Sequence, residues 1–130
     1  MANANIQITL QNADMINGMP TYEPAGVVQG MVQVMPLQDI KCNHVWIRLE
    51  WHTEGRGDTS SKVIEQIDMT QGMLNANMPL SRSFSFNLPR EPWSYAGHYI
   101  NIIWAIKATI DIPLATDVNY LQPFVLAPRR

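Results

Sequence analysis

Period-two alternation of apolar and polar residues constrains this chain more than any other feature. It recurs along most of the length, and no helical period of useful extent interrupts it. A β-strand points successive side chains to opposite faces, so this alternation marks strands with one face buried. Val45, Ile47, Leu49 and Trp51 share one face of a segment whose other face carries His44, Trp46, Arg48, Glu50 and His52. Val28, Gly30, Val32 and Val34 line up within 26–35, where Pro36 ends the run and Gly30 predicts a bulge or a close backbone approach. Ile6, Ile8 and Leu10 alternate within 5–11, and Phe84, Phe86 and Leu88 do so later. The longest stretch, 99–110, sets Ile100, Ile102, Trp104, Ile106, Ala108 and Ile110 on one face. Ile103 and Ala105 make its second face partly apolar, as in a central strand. Val63, Ile67 and Met69 predict a further strand, and 120–126 a last one whose Pro123 suits a sheet edge.

Between these runs lie loop signals at Asn12, Asn17, Gly18 and Pro20, at Glu54-Gly55-Arg56-Gly57-Asp58, and between Gly72 and Pro79. The spacing predicts an all-β fold of about seven or eight strands, an antiparallel immunoglobulin-like β-sandwich. Its expected core holds Val32, Val34, Val45, Ile47, Leu49, Trp51, Phe84, Phe86, Ile102, Trp104 and Ile106. With 130 residues, 46% of them hydrophobic and only 15% charged, the chain has the apolar content to bury a core and reads as one domain over 1–130.

Three motifs in order resemble the amino-terminal lobe of arrestin-like proteins. Tyr22-Glu23-Pro24-Ala25-Gly26-Val27-Val28-Gln29-Gly30-Met31-Val32 is similar to the family's Tyr-x-Pro-Gly-x-x-Val-x-Gly-x-Val passage. Phe84-Ser85-Phe86-Asn87-Leu88-Pro89, followed by Pro92-Trp93-Ser94-Tyr95-Ala96-Gly97, resembles its Phe-x-Phe-x-Leu-Pro…Pro-x-Ser-Tyr-x-Gly passage. Ile102-Ile103-Trp104-Ala105-Ile106-Lys107-Ala108-Thr109-Ile110-Asp111-Ile112-Pro113 resembles its long strand ending in Asp-x-Pro. The turn Trp51-His52-Thr53-Glu54-Gly55-Arg56-Gly57-Asp58 also looks like that of small bacterial single-domain members. The resemblance implies arrestin-like topology and a general role in protein binding. Arrestins that read phosphorylated receptor tails use two such lobes and basic residues on the first strand. Here 5–11 carries no Lys or Arg, so that phosphate-reading mechanism is not implied.

Charge and motif content narrow the function further. The nine Lys and Arg are scattered and the net charge is −2, which argues against nucleic-acid binding. No apolar run reaches the roughly 18 residues of a transmembrane segment, and the opening residues lack a basic leader. A soluble, cytoplasmic protein is expected. Cys42 is the only cysteine, so no internal disulfide forms. Cys42, His44, His52 and His98 do not follow the order of a copper site, whose Cys, His and Met cluster late in the chain; no metal and no cofactor are expected.

Ser94 lacks a Gly-x-Ser-x-Gly setting, and Glu50, Glu54 and Asp58 lack calcium-loop spacing, so the chain is not expected to be an enzyme. The leading expectation is a scaffold that binds a protein partner or itself. Two surfaces are candidates: the strand face of His44, Trp46, Arg48, Glu50 and His52, and the uncharged first strand with Gln7 and Ile8 at its middle. The alternative is a small-molecule or carbohydrate binder using Trp93, Tyr95 and Tyr99.

Overall fold

The computed structural model describes residues 4–56, 59–97 and 100–128, and every regular element in them is a strand. In chain order these are β1 (Ala4–Gln11), β2 (Asp14–Ile16), β3 (Met19–Tyr22), β4 (Val27–Pro36), β5 (Ile40–Gly55), β6 (Ser61–Leu74), β7 (Leu80–Asn87), β8 (Tyr95–Ala96), β9 (Ile100–Asp111) and β10 (Val118–Leu126). They form two sheets, β1-β4-β7 and β2-β3-β10-β9-β5-β6, with β8 added on β9. The small sheet lies over the large one and the core fills the space between them. Val28, Val32, Val34, Val45, Ile47, Leu49, Trp104, Ile106 and Ile110 are all fully buried there. The fold is a β-sandwich, as the alternation predicts.

Three features differ from the predicted strand set. The 12–20 region, a loop by its composition, contains a hairpin: β2 and β3 pair around Asn17 and Gly18, both at positive φ (52° and 78°). Two central residues with positive φ form the type I′ turn, whose twist matches that of paired strands, and Asn-Gly is its favoured sequence. One pairing is parallel, β3 on β10 through Thr21–Val125 and Tyr22–Leu126, so the large sheet is mixed rather than wholly antiparallel. As a result β10 is not a simple edge. Its end is flanked by β3, while 118–123 has β9 alone beside it.

Bulges redirect two predicted faces. The β5–β6 register shifts between Cys42 and Val45, so Cys42 and Val45 both point inward while His44 faces out. Strict alternation places Cys42 and His44 on one face; the extra residue separates them. A second shift, opposite Leu49 and Glu50, turns Ile64 toward the core and leaves Val63 45% exposed. Strand β6 also runs on through Gly72 to Leu74, which is buried, so the loop predicted from Gly72 starts later. In the expected core, Trp51 and Ile102 are only half-buried, since both lie toward the open end of the β5–β9 ladder. Ala105, on the outward register of β9, is nevertheless fully buried.

The family-like motifs have clear structural work. A Cβ on Gly30 would run into the Thr9 carbonyl and lie 2.8 Å from Phe84 Cζ, so Gly30 is the close approach. The Glu23–Gly26 turn closes with Gly26 N–H donating to the Glu23 carbonyl (3.0 Å), and Ala25 N–H donates to Pro89 O (3.1 Å). Buried Trp104 donates its indole N–H to Pro92 O (2.8 Å), which ties the loop after β7 to the core.

Candidate functional site

The clearest surface begins at β1. It pairs with β4 alone, through an unbroken register from Ala4–Pro36 to Gln11–Gln29, and forms one edge of the small sheet. Ile8 is buried and Gln7 is exposed, so Gln7 can offer a partner its side chain, whereas Ile8 offers only backbone. An antiparallel edge strand presents alternate unpaired N–H and C=O groups along its free side. The edge is closed at one end, where Tyr22 donates its hydroxyl to Gln11 O at 2.6 Å. Burial there pushes the Tyr22 hydroxyl up to about 12, against the opposing effect of a backbone hydrogen bond to Gln29. At the other end, β1, β4, Pro79 and residues 118–120 of β10 line a groove of 670 Å³ along the seam between the sheets.

The solvent face of the same sheet is built in rungs. Gln11, Gln29 and Ser85 are cross-strand neighbours, as are Thr9, Met31 and Ser83, and Gln7, Gln33 and Ser81. No ionisable side chain stands on this face: Arg82 is the only charged residue in the three strands, and it lies opposite Val32 on the inward register. In contrast β2, β5, β6 and β9 of the large sheet all carry charges. Alternation within single strands does not reveal this face. The signal available was the near-absence of charge from three separate segments, which only register brings together.

The second predicted surface, on β5, forms a ladder on the outer face of the large sheet. His44 stacks on Trp46 with ring centroids 4.6 Å apart, and the Arg48 guanidinium lies 5.3 Å from the centre of the Trp46 ring. His44 Nδ1 is 2.8 Å from Asp68 Oδ2, Arg48 Nε donates to Gln66 Oε1 (3.1 Å), and His52 Nε2 is 3.0 Å from Glu54 Oε2. Glu50 is largely buried beside Ala105. Thus the structure brings His44, Trp46 and Arg48 together, each held by neighbours on its own sheet, with His52 paired further along.

At the end of the sandwich, Trp93 and Tyr95 are 52% and 57% exposed, beside a cleft that also takes in Arg90 and Ile102. The ring of Tyr95 therefore does not pack into the core; the neighbouring Ser94 does the anchoring, exchanging bonds with Leu126 through its amide (2.8 Å) and its Oγ (2.9 Å). Tyr99, His98 and Asp58 lie outside the described residues. Among the described residues, no three His, Cys, Asp or Glu side chains group closely enough to hold a metal ion, and no helix is long and apolar enough to cross a membrane.

A three-stranded sheet packed on a larger mixed sheet, with the Tyr22–Gly30, Phe84–Gly97 and β9 motifs at these places, defines an arrestin-like β-sandwich. The crystal structure of Spo0M, sporulation control protein, from Bacillus subtilis shares this fold: the likeness covers 99% of this chain with a TM-score of 0.72 at 16% identity. This chain spans 51% of the length of that one. The sequence matches no protein-family model and no curated protein.

Proposed function

We propose that this chain is a non-enzymatic protein-interaction module that takes an extended segment of its partner along the free edge of β1. The observation that carries this reading is the lack of protection on that edge. Natural sheets guard their edges with charge, proline, bulges or shortness. Here β6 carries Lys62, Glu65 and Asp68 and three register irregularities, β7 carries Arg82, β10 carries Pro123, and β2 has three residues including Asp14. Strand β1 has none of these devices. Strand addition draws affinity from main-chain hydrogen bonds and specificity from pockets that receive alternate side chains, and the groove beside Ala4–Gln7 is placed for the second role.

The side chains suited to chemistry are otherwise occupied. Ser94 Oγ accepts the Leu126 amide, and His44 and His52 are each paired with a carboxylate. The likeness to a protein described as a sporulation control protein supports a regulatory role over a catalytic one. The test is partner capture with mass spectrometry, followed by hydrogen exchange on the purified complex. New protection concentrated in Ala4–Gln11 supports the reading. Binding to a sugar array with no stoichiometric protein captured would move the function to the Trp93–Tyr95 end.

A further inference from the structure

We propose that the occupant of the β1 edge is a second copy of this chain, paired antiparallel through a two-fold axis near Gln7 and Ile8, so that the two small sheets join into one six-stranded sheet. This rests on the reading of β1 as the interaction edge and adds the identity of the partner.

A two-fold axis places β1 antiparallel against the same strand of its mate, so a charge at or near the axis meets its own copy across the junction. Like charges directly opposite across strands destabilise pairing. Arg82 lies within β7 and Lys62, Glu65 and Asp68 are spread along β6, so self-pairing there is restricted in register, whereas Ala4–Gln11 contains no ionisable side chain and meets its copy without opposed charges in any register. The outward row of Asn5, Gln7, Thr9 and Gln11 consists of amides and a hydroxyl, which both donate and accept and so match a copy of themselves in either direction. The strand is also straight for its purpose: its register with β4 has no shift over its whole length.

The surroundings agree. The charge-free face behind β1 continues without interruption onto β4 and β7, so the joined sheet would bring no ionised group to the junction on its solvent side. On the inner side, residues 118–123 of β10 stand across the seam from β1 and, among the described residues, have no strand on their outer flank. Joining two β1 strands brings the two β10 flanks toward one another, and Tyr120, 40% exposed and lining the groove, is the side chain placed to fill that junction.

The test is light scattering of the full chain over a concentration series, with two exposed-row variants, Gln7→Lys/Thr9→Lys and Gln7→Glu/Thr9→Glu. The expected result is a wild-type mass of two chains, a mass of one chain for each variant alone, and recovery of the two-chain mass when the variants are mixed. Hydrogen exchange on the wild type gives a readout free of mutation: alternate amides of β1 exchange slowly when concentrated and fast when diluted. A wild type that stays at one chain at every concentration overturns the proposal, as does a lysine variant that remains dimeric or a mixture that fails to associate. If the wild type is monomeric yet loses a captured foreign partner in the lysine variant, self-pairing falls and the interaction-module reading stands.

Discussion

Ala25 occupies the left-handed region at φ 62°, in the third position of the Glu23–Gly26 turn, where the Pro24 that precedes it favours a type II geometry. A side chain there costs about 1–2 kcal/mol relative to glycine, while glycine adds unfolded-state entropy of about 0.4–1 kcal/mol. Ala25→Gly is therefore expected to stabilise the protein by up to about 1.5 kcal/mol, read as a higher denaturant midpoint with unchanged slope. Gly30 gives the opposite case, since a methyl group there meets Thr9 O and the Phe84 ring. Gly30→Ala should lose about 1–3 kcal/mol in the same measurement. Trp104 is fully buried and also holds Pro92 through its indole N–H, so Trp104→Ala should cost about 3–5 kcal/mol. Lys107→Ala, on the outward register of the same strand, should cost far less; equal losses would contradict the facing of β9.

At the scale of elements, Tyr22 joins β3 to the end of β1, and its titration reports on that joint. Burial raises its hydroxyl from the ordinary 10 to about 12, so the folded state holds the proton more tightly than the unfolded chain. That contribution is complete below pH 10 and is lost as pH rises toward 12. Burial also raises the Cys42 thiol, which adds a loss of the same sign that begins at lower pH. Thermal melts should accordingly fall through the alkaline range, and Tyr22→Phe should flatten the part above pH 10 at the cost of lower stability at neutral pH. If the slope above pH 10 is unchanged in Tyr22→Phe, another group controls the alkaline transition. The bulge in β5 makes a second prediction. Because it turns Cys42 inward and His44 outward, the thiol should react slowly with a disulfide reagent until denaturant opens the sheet.

For the whole molecule, the division of charge between the sheets is the feature with consequences. One face of the sandwich is free of ionisable side chains and ends in an unguarded edge; the other carries the charged residues of β5, β6 and β9. Association through the first face should change little with salt, because no ion pair forms or breaks there. Association through the His44–Trp46–Arg48 face would weaken as salt rises. Light scattering at low and high ionic strength distinguishes the two faces without any substitution.

Much of the fold was legible in the chain because burial of one face imposes a period of two, and that period is a local property. Val28 to Val34, Val45 to Leu49, Phe84 and Phe86, and Trp104 to Ile110 lie inside as their alternation requires. The hairpin at Asn17-Gly18 reads as a loop by composition, although positive φ at two adjacent residues has a known sequence preference that marks such a turn. Tertiary structure alone decided the rest. Bulges at Cys42–Val45 and opposite Leu49–Glu50 shift a strand by one residue, which reverses every facing beyond them, and nothing local marks the insertion. The parallel pairing of β3 with β10 joins segments about a hundred residues apart, where the free energy of pairing depends on the completed sandwich. The charge-free face was equally hidden. Gln7, Gln33 and Ser81 are unremarkable in their own segments, and become one row only when hydrogen-bond register sets β1, β4 and β7 side by side.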